Sequence, residues 1–207
     1  MEKFSLERAL SLESKYDDSL ATRPISAWLG KFVFFFSILF ALYHYITSGT
    51  GVPVDYWHMG FHMSGVILLV FIAFPALKHE TGGTTTKTGW GRIAGVPLYD
   101  WLFIVCGIAA SLYIGITWYE IKFTLFGIDF FLPEQVLRQG APLPIDVVFG
   151  SILVLVLLEA VRRTIGIVVP IIILLFICYA IFGRSMPFQI LMHPGINWSQ
   201  FINNMYF

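Results

Sequence analysis

The chain has 207 residues, 57% of them hydrophobic and only 13% charged, and its mean hydropathy is +0.76. These values exclude an ordinary soluble domain and place it among polytopic membrane proteins. Its 13 basic and 13 acidic residues cancel, so no net field draws nucleic acid or steers an ionic substrate, and no nucleic-acid partner is expected.

Residues 1–27 read as a cytoplasmic N-terminal segment, in which Leu6, Leu10 and Tyr16 give at most a narrow apolar stripe. No short apolar core precedes a small-residue cleavage site, so the first membrane helix is expected to act as its own signal. Pro24 breaks any earlier helix, and Trp28 opens a span at 28–48 with Lys31 near its start. The link SGTGVPVDY, with Gly49, Gly51 and Pro53, holds only a tight turn, which makes the next span, 57–77, an antiparallel neighbour. Pro75 stands near the end of that span and Lys78 just beyond it. Residues 78–98 are the most polar stretch; the glycines of TGWGR lack the preceding strand that a phosphate-binding loop requires.

A third span, 99–119, carries Tyr99 and Trp101 at one end and Trp118 and Tyr119 at the other, as expected of aromatic belts. Residues 120–144 are too apolar for a free loop and too interrupted for a span, and are expected to lie along the membrane surface. From Asp146 to Gly183 two apolar runs meet at Glu159, Arg162 and Arg163. One straight helix of that length would measure about 57 Å, roughly twice the hydrocarbon core. The charges divide it into spans 145–161 and 165–182 joined by a tight basic turn; a single bent helix would leave four spans. The tail 184–207, with Trp198, Phe201, Tyr206 and Phe207, reads as a periplasmic or interfacial segment.

The expected fold is thus an all-α integral membrane protein of five transmembrane helices with surface-lying segments. With the N-terminus cytoplasmic, only Lys122, Arg138 and Arg184 of the 13 basic residues fall outside, the bias that the positive-inside rule favours.

Glu159 is the acidic residue well inside an apolar run, which makes it a candidate for an ion or proton path. Arg162 and Arg163 lie three and four residues on, so a structural ion pair at the turn explains it equally and is the default. Asp146, just after Pro144, suits a helix cap, and Pro170 suggests a bend in the fifth span. His58 and His62 are one helical turn apart, and His44 lies toward the same end of span one. They form the candidate metal or haem set, with only Asp55 nearby to support a metal. Cys106 and Cys178 lie in apolar runs and read as small hydrophobes. Gly107, Ala109, Ala110, Ser111 and Gly115 form a small-residue seam on span three. No internal repeat and no catalytic constellation is evident, so no enzyme activity is expected.

The stretch D-x-x-x-G, LLEAVRR, G-x-x-x-PIIxLLFxxYAxFG resembles a known family. Its positions are Asp146, Gly150, Leu158, Glu159, Ala160, Arg162, Arg163, Gly166, Pro170, Ile171, Ile172, Phe176, Tyr179, Ala180, Phe182 and Gly183. Together with LYHYITSGTG, FHMSGVILLVFIAFPAL and VPLYDW, it is similar to the N-terminal, small Q-type membrane region of fused permeases of tripartite ATP-independent periplasmic (TRAP) transporters, in particular the TAXI-associated type. The resemblance covers about residues 28–207. It implies a bacterial inner-membrane importer of organic acids, driven by a sodium gradient. A large M-type permease portion and a periplasmic TAXI-type substrate-binding protein would be its partners. No sodium or substrate ligand, and no other cofactor, is carried onto this chain. Fused permeases continue through many more helices, so the chain corresponds to a separately made small subunit or to a piece. The alternatives are a haem-binding electron-transfer subunit and a stand-alone small channel or carrier using Glu159.

Overall fold

The structure, a computed structural model, describes residues 22–51, 55–76 and 91–207. The N-terminal stripe, most of the polar loop, Pro53 and the basic residues Lys3, Arg8, Lys15, Lys78 and Lys87 lie outside the described residues.

Five helices are long and apolar enough to cross a membrane. They are α1 (Ala27–Thr50), α2 (Asp55–Ala73), α3 (Leu98–Ile116), α5 (Pro144–Thr164) and α6 (Val168–Phe182), the last reaching spanning length with the 3-10 turn that continues it to Ser185. Among the described residues two hairpins, a single helical turn, two 3-10 turns (Gly183–Ser185 and Gln189–Leu191) and a short last helix complete the order. A two-residue hairpin, β1 (Arg92–Ile93) and β2 (Val96–Pro97), precedes α3; a second hairpin, β3 (Ile121–Leu125) and β4 (Ile128–Leu132), and the single turn α4 (Gln135–Arg138) lie between α3 and α5; α7 (Trp198–Tyr206) ends the chain. The fold is therefore mainly but not wholly α.

Where the helices differ from expectation, proline and glycine explain it. Helix α2 stops at Ala73, short of 77, because Pro75 cannot continue the ladder. Helices α5 and α6 are separate: Gly166 takes φ +101°, a conformation that favours glycine, and α6 starts at Val168. Pro170 consequently sits in the first turn of α6, where its missing N–H breaks no intrahelical bond. The expected bend becomes a helix start.

Helix α3 is the centre of the bundle. Its Ile104, Gly107, Ala110, Ser111 and Tyr113 are buried between α2 and α5, with Ile67, Phe71 and Val156 among the enclosed neighbours. The small-residue seam is what lets the backbones meet. A Cβ on Gly60 of α2 would sit 2.6 Å from the Ser111 carbonyl oxygen, and one on Gly115 would sit 2.9 Å from the Trp57 ring. Ala109, expected in the seam, faces outward. At Gly107 a Cβ would lie 2.9 Å from both Ile67 Cγ2 and Val156 Cγ1, so three helices converge on one missing methyl. Gly107→Val should accordingly cost about 1–3 kcal/mol by overpacking. Ala109→Val on the exposed side of the same helix should stay within about 0.5 kcal/mol. Unfolding midpoints in detergent distinguish the two.

Helices α1 and α6 are peripheral; only Leu29 and Thr47 of α1, and Pro170 of α6, are buried. The tail does more than lie on a surface. Helix α7 is capped by Asn197, whose side chain accepts from Gln200 N–H at 2.7 Å, and it turns Phe201, Ile202 and Tyr206 into the core beside Gly150. Between α5, α6 and α7 runs an apolar groove of about 650 Å³ lined by residues such as Leu157, Phe176 and Met205.

Candidate functional site

Two clusters of buried charge bracket the α2–α3–α5 core, one at each end. The first forms where α2 ends, α3 begins and α5 ends. Pro75 stops α2 at Ala73, and three guanidiniums take up carbonyls at and just beyond its end. Arg23 donates to Phe71 O at 3.4 Å, Arg163 to Phe74 O at 3.3 Å and Arg162 to Ala76 O at 3.1 Å. The carboxylates lie among them. Asp100, fully buried in the first turn of α3, pairs with Arg23 Nη2 at 2.5 Å and Arg163 Nη1 at 2.8 Å. Glu159 accepts from Arg162 Nε and Nη2, both at 2.7 Å, and from Arg163 Nε at 2.8 Å.

Among the described residues the cluster brings together three guanidiniums and two carboxylates, and the negative end of the α2 dipole faces the guanidiniums. Arg163 also lies 4.5 Å from the centre of the Phe71 ring, a cation–π contact in a site shielded from water. The expected triad Glu159, Arg162 and Arg163 is therefore one half of a larger lock. Asp100 and Arg23 are the members that the local pattern did not disclose.

The second cluster forms where α3 ends and α5 begins. Asp146, fully buried, accepts Leu143 N–H at 2.8 Å, satisfying the backbone group that precedes its helix. Its other oxygen accepts from the Tyr113 hydroxyl at 2.5 Å and from Arg138 Nη1. Cap and ion pair are thus one side chain. Arg138, though placed outside by its position in the sequence, is buried, donates from Nε to Pro133 O at 3.1 Å, and sits over the Phe207 ring. Next to it in α4 the Gln135 carboxamide is wholly enclosed and makes no hydrogen bond to another described residue. Tyr206 closes the cluster, donating to Ala110 O at 2.5 Å; burial pushes its phenol above the ordinary tyrosine range, so it stays a neutral donor.

The three candidate histidines do come together, between α1 and α2. His44 donates from Nδ1 to Phe40 O at 2.7 Å, because a carbonyl only accepts. Its Nε2 therefore accepts from His62 Nδ1 at 2.9 Å. His58 Nδ1 pairs with the Tyr43 hydroxyl at 2.9 Å. A porphyrin cannot enter between two imidazoles in direct hydrogen-bond contact, so the arrangement does not suit a haem bridged by His44 and His62. Among the described residues no group of three or more His, Cys, Asp or Glu side chains is placed to hold a metal. Nothing is described of the Asp55 side chain. His193, outside the spans, is engaged at both ring nitrogens, by Tyr179 O at 3.0 Å and Gly195 N–H at 3.1 Å.

What these sites can do chemically follows from their pairing. The carboxylates of Asp100, Asp146 and Glu159 are each held by guanidiniums of the same chain: Asp100 ties the start of α3 to α5, Asp146 ties α5 to α4 and α3, Glu159 is paired within α5, and none of the three is left uncommitted for a passing ion. The chain matches no protein-family model, no curated protein and no solved structure.

Proposed function

We propose that this chain is a small membrane scaffold subunit of a TRAP-type, sodium-coupled importer of organic acids, set in a bacterial inner membrane with its N-terminus cytoplasmic. In this reading it anchors and orients a large M-type permease portion, which carries the substrate and sodium sites and receives its solute from a periplasmic TAXI-type binding protein. The observation that carries the reading is the use of intramembrane charge. Asp100 and Asp146 are committed to fastening helices, and Glu159 to holding the two arginines of its own helix, as a rigid support needs and a conducting path does not. The apolar groove between α5, α6 and α7 agrees with it, since helix association in a bilayer relies on close packing.

Tagged chain extracted from native membranes in mild detergent should bring with it a large polytopic membrane protein at one-to-one stoichiometry, identified by mass spectrometry. Full-length, folded chain that emerges alone would overturn the subunit reading. Flux through vesicles holding this chain by itself, abolished by Glu159→Gln, would establish the stand-alone carrier in its place.

A further inference from the structure

The hairpin β3–β4 has two unlike faces. Its register pairs Ile121 with Leu132 and Phe123 with Phe130 on one side, and Lys122 with Phe131 and Thr124 with Asp129 on the other. Ile128 shares the first side, which is apolar at every described side chain. On the second side the Thr124 hydroxyl donates to Asp129 at 2.6 Å, and Lys122 lies 5.2 Å from the Phe131 ring centre while pairing with Glu120. The apolar side is bare: Phe123 and Phe130 stack at 4.9 Å, yet they and Ile128 remain exposed.

The turn sharpens the contrast. Phe126 and Gly127 take φ +51° and +79°, the left-handed pair of a tight hairpin turn, whose first position favours asparagine, aspartate or glycine. A phenylalanine there is conformationally strained, and its side chain is 96% exposed. Backbone strain and bare aromatic surface thus coincide at one residue, as at sites where strain serves a contact.

The hairpin also stands at the boundary of the spans. It leaves the end of α3 just after Trp118, which stacks on Tyr56 at 4.2 Å, and after Tyr119, which is exposed. Such rings occupy the water–lipid interface. Exposed apolar side chains flank the hairpin in the chain, Ile116 at the end of α3 before it and Val136 and Leu137 of α4 after it.

We propose that β3–β4 is a membrane wedge: it lies in the leaflet at the C-terminal end of α3, with Phe126 and the Phe123/Phe130 side in lipid and the Thr124/Asp129 side toward water. The reading does not depend on the scaffold role.

The test places single cysteines in the full chain, in a Cys106→Ala, Cys178→Ala background, as Phe126→Cys, Ile128→Cys, Thr124→Cys and Asp129→Cys. Each is labelled with a nitroxide, reconstituted in lipid nanodiscs, and checked for the parent's melting midpoint. Relaxation by oxygen, which partitions into hydrocarbon, should exceed relaxation by a water-soluble nickel chelate at 126 and 128. The order should reverse at 124 and 129. Equal nickel access at 126 and 124 would put the tip in water and overturn the wedge. Shielding of position 126 from both reagents would show a protein cover, and would overturn it too.

Discussion

Asp100→Asn should destabilise the folded chain by about 3–5 kcal/mol, the cost of removing one partner from a buried ion pair. The magnitude rests on enclosure. The Asp100 side chain is fully buried, and those of Arg23 and Arg163 are 1% exposed, so neither guanidinium can turn to water when the charge between them goes. Three ties fail together. The segment before α1 loses its hold on α3, the end of α5 loses its hold on the start of α3, and Arg23 loses the carboxylate that aims it at the Phe71 carbonyl. Glu159 does not substitute, because its oxygens are already engaged by Arg162 and Arg163. Titrating purified chain with a denaturing detergent and following helix content measures the change. A loss below ~1 kcal/mol would be that of a solvent-exposed pair, and would mean that water reaches this end of the bundle.

At the other end, Asp146→Asn should cost a similar 3–5 kcal/mol, since it strands Arg138. The decisive measurement is a cycle with Arg138→Leu. Each single change leaves an uncompensated charge, whereas the double variant leaves neither. Its loss should fall short of the sum of the singles by about 0.5–3 kcal/mol. Strict additivity would show that the two side chains do not depend on each other. Tyr113→Phe removes one charge-assisted hydrogen bond and should cost about 1.5–3 kcal/mol, less than either charge change.

How much of this was legible beforehand depends on the range of the interaction. The five spans were readable because each is a long apolar run, and bilayer thickness sets its length. Glu159 with Arg162 and Arg163 was readable because spacings of three and four place side chains on one helix face. Asp100 and Arg23 are 77 residues apart, and each stands at the edge of a span, where a charge ordinarily faces the head groups. No local period links them. Arg138 was hidden in the same way, within an interrupted apolar stretch that reads as interfacial.

That stretch also concealed a hairpin. Alternating Ile121 and Phe123, then Phe130 and Leu132, carry the period of two, but Phe126–Gly127 replaces the usual asparagine–glycine signal of the turn. Pro170 was misplaced for a plainer reason. With the fifth span started at 165, the proline falls inside it; with Gly166 ending the preceding turn, it falls in the opening turn of α6. Helix spacing groups His58 with His62, and the position of His44 toward the same end of span one adds the third. Whether their rings would turn toward an ion or toward each other was beyond what spacing encodes.

The Arg23–Asp100–Arg163 lock also imposes an order on biosynthesis. At about 5–20 residues per second, Asp100 follows Arg23 out of the ribosome by about 4–15 s, and the end of α5 is made later still. Until then Arg23 must wait at the lipid head groups. The lock closes fully when the fourth span has been threaded, so a nascent chain halted before Arg163 would hold its first three helices with only the Arg23–Asp100 half of it.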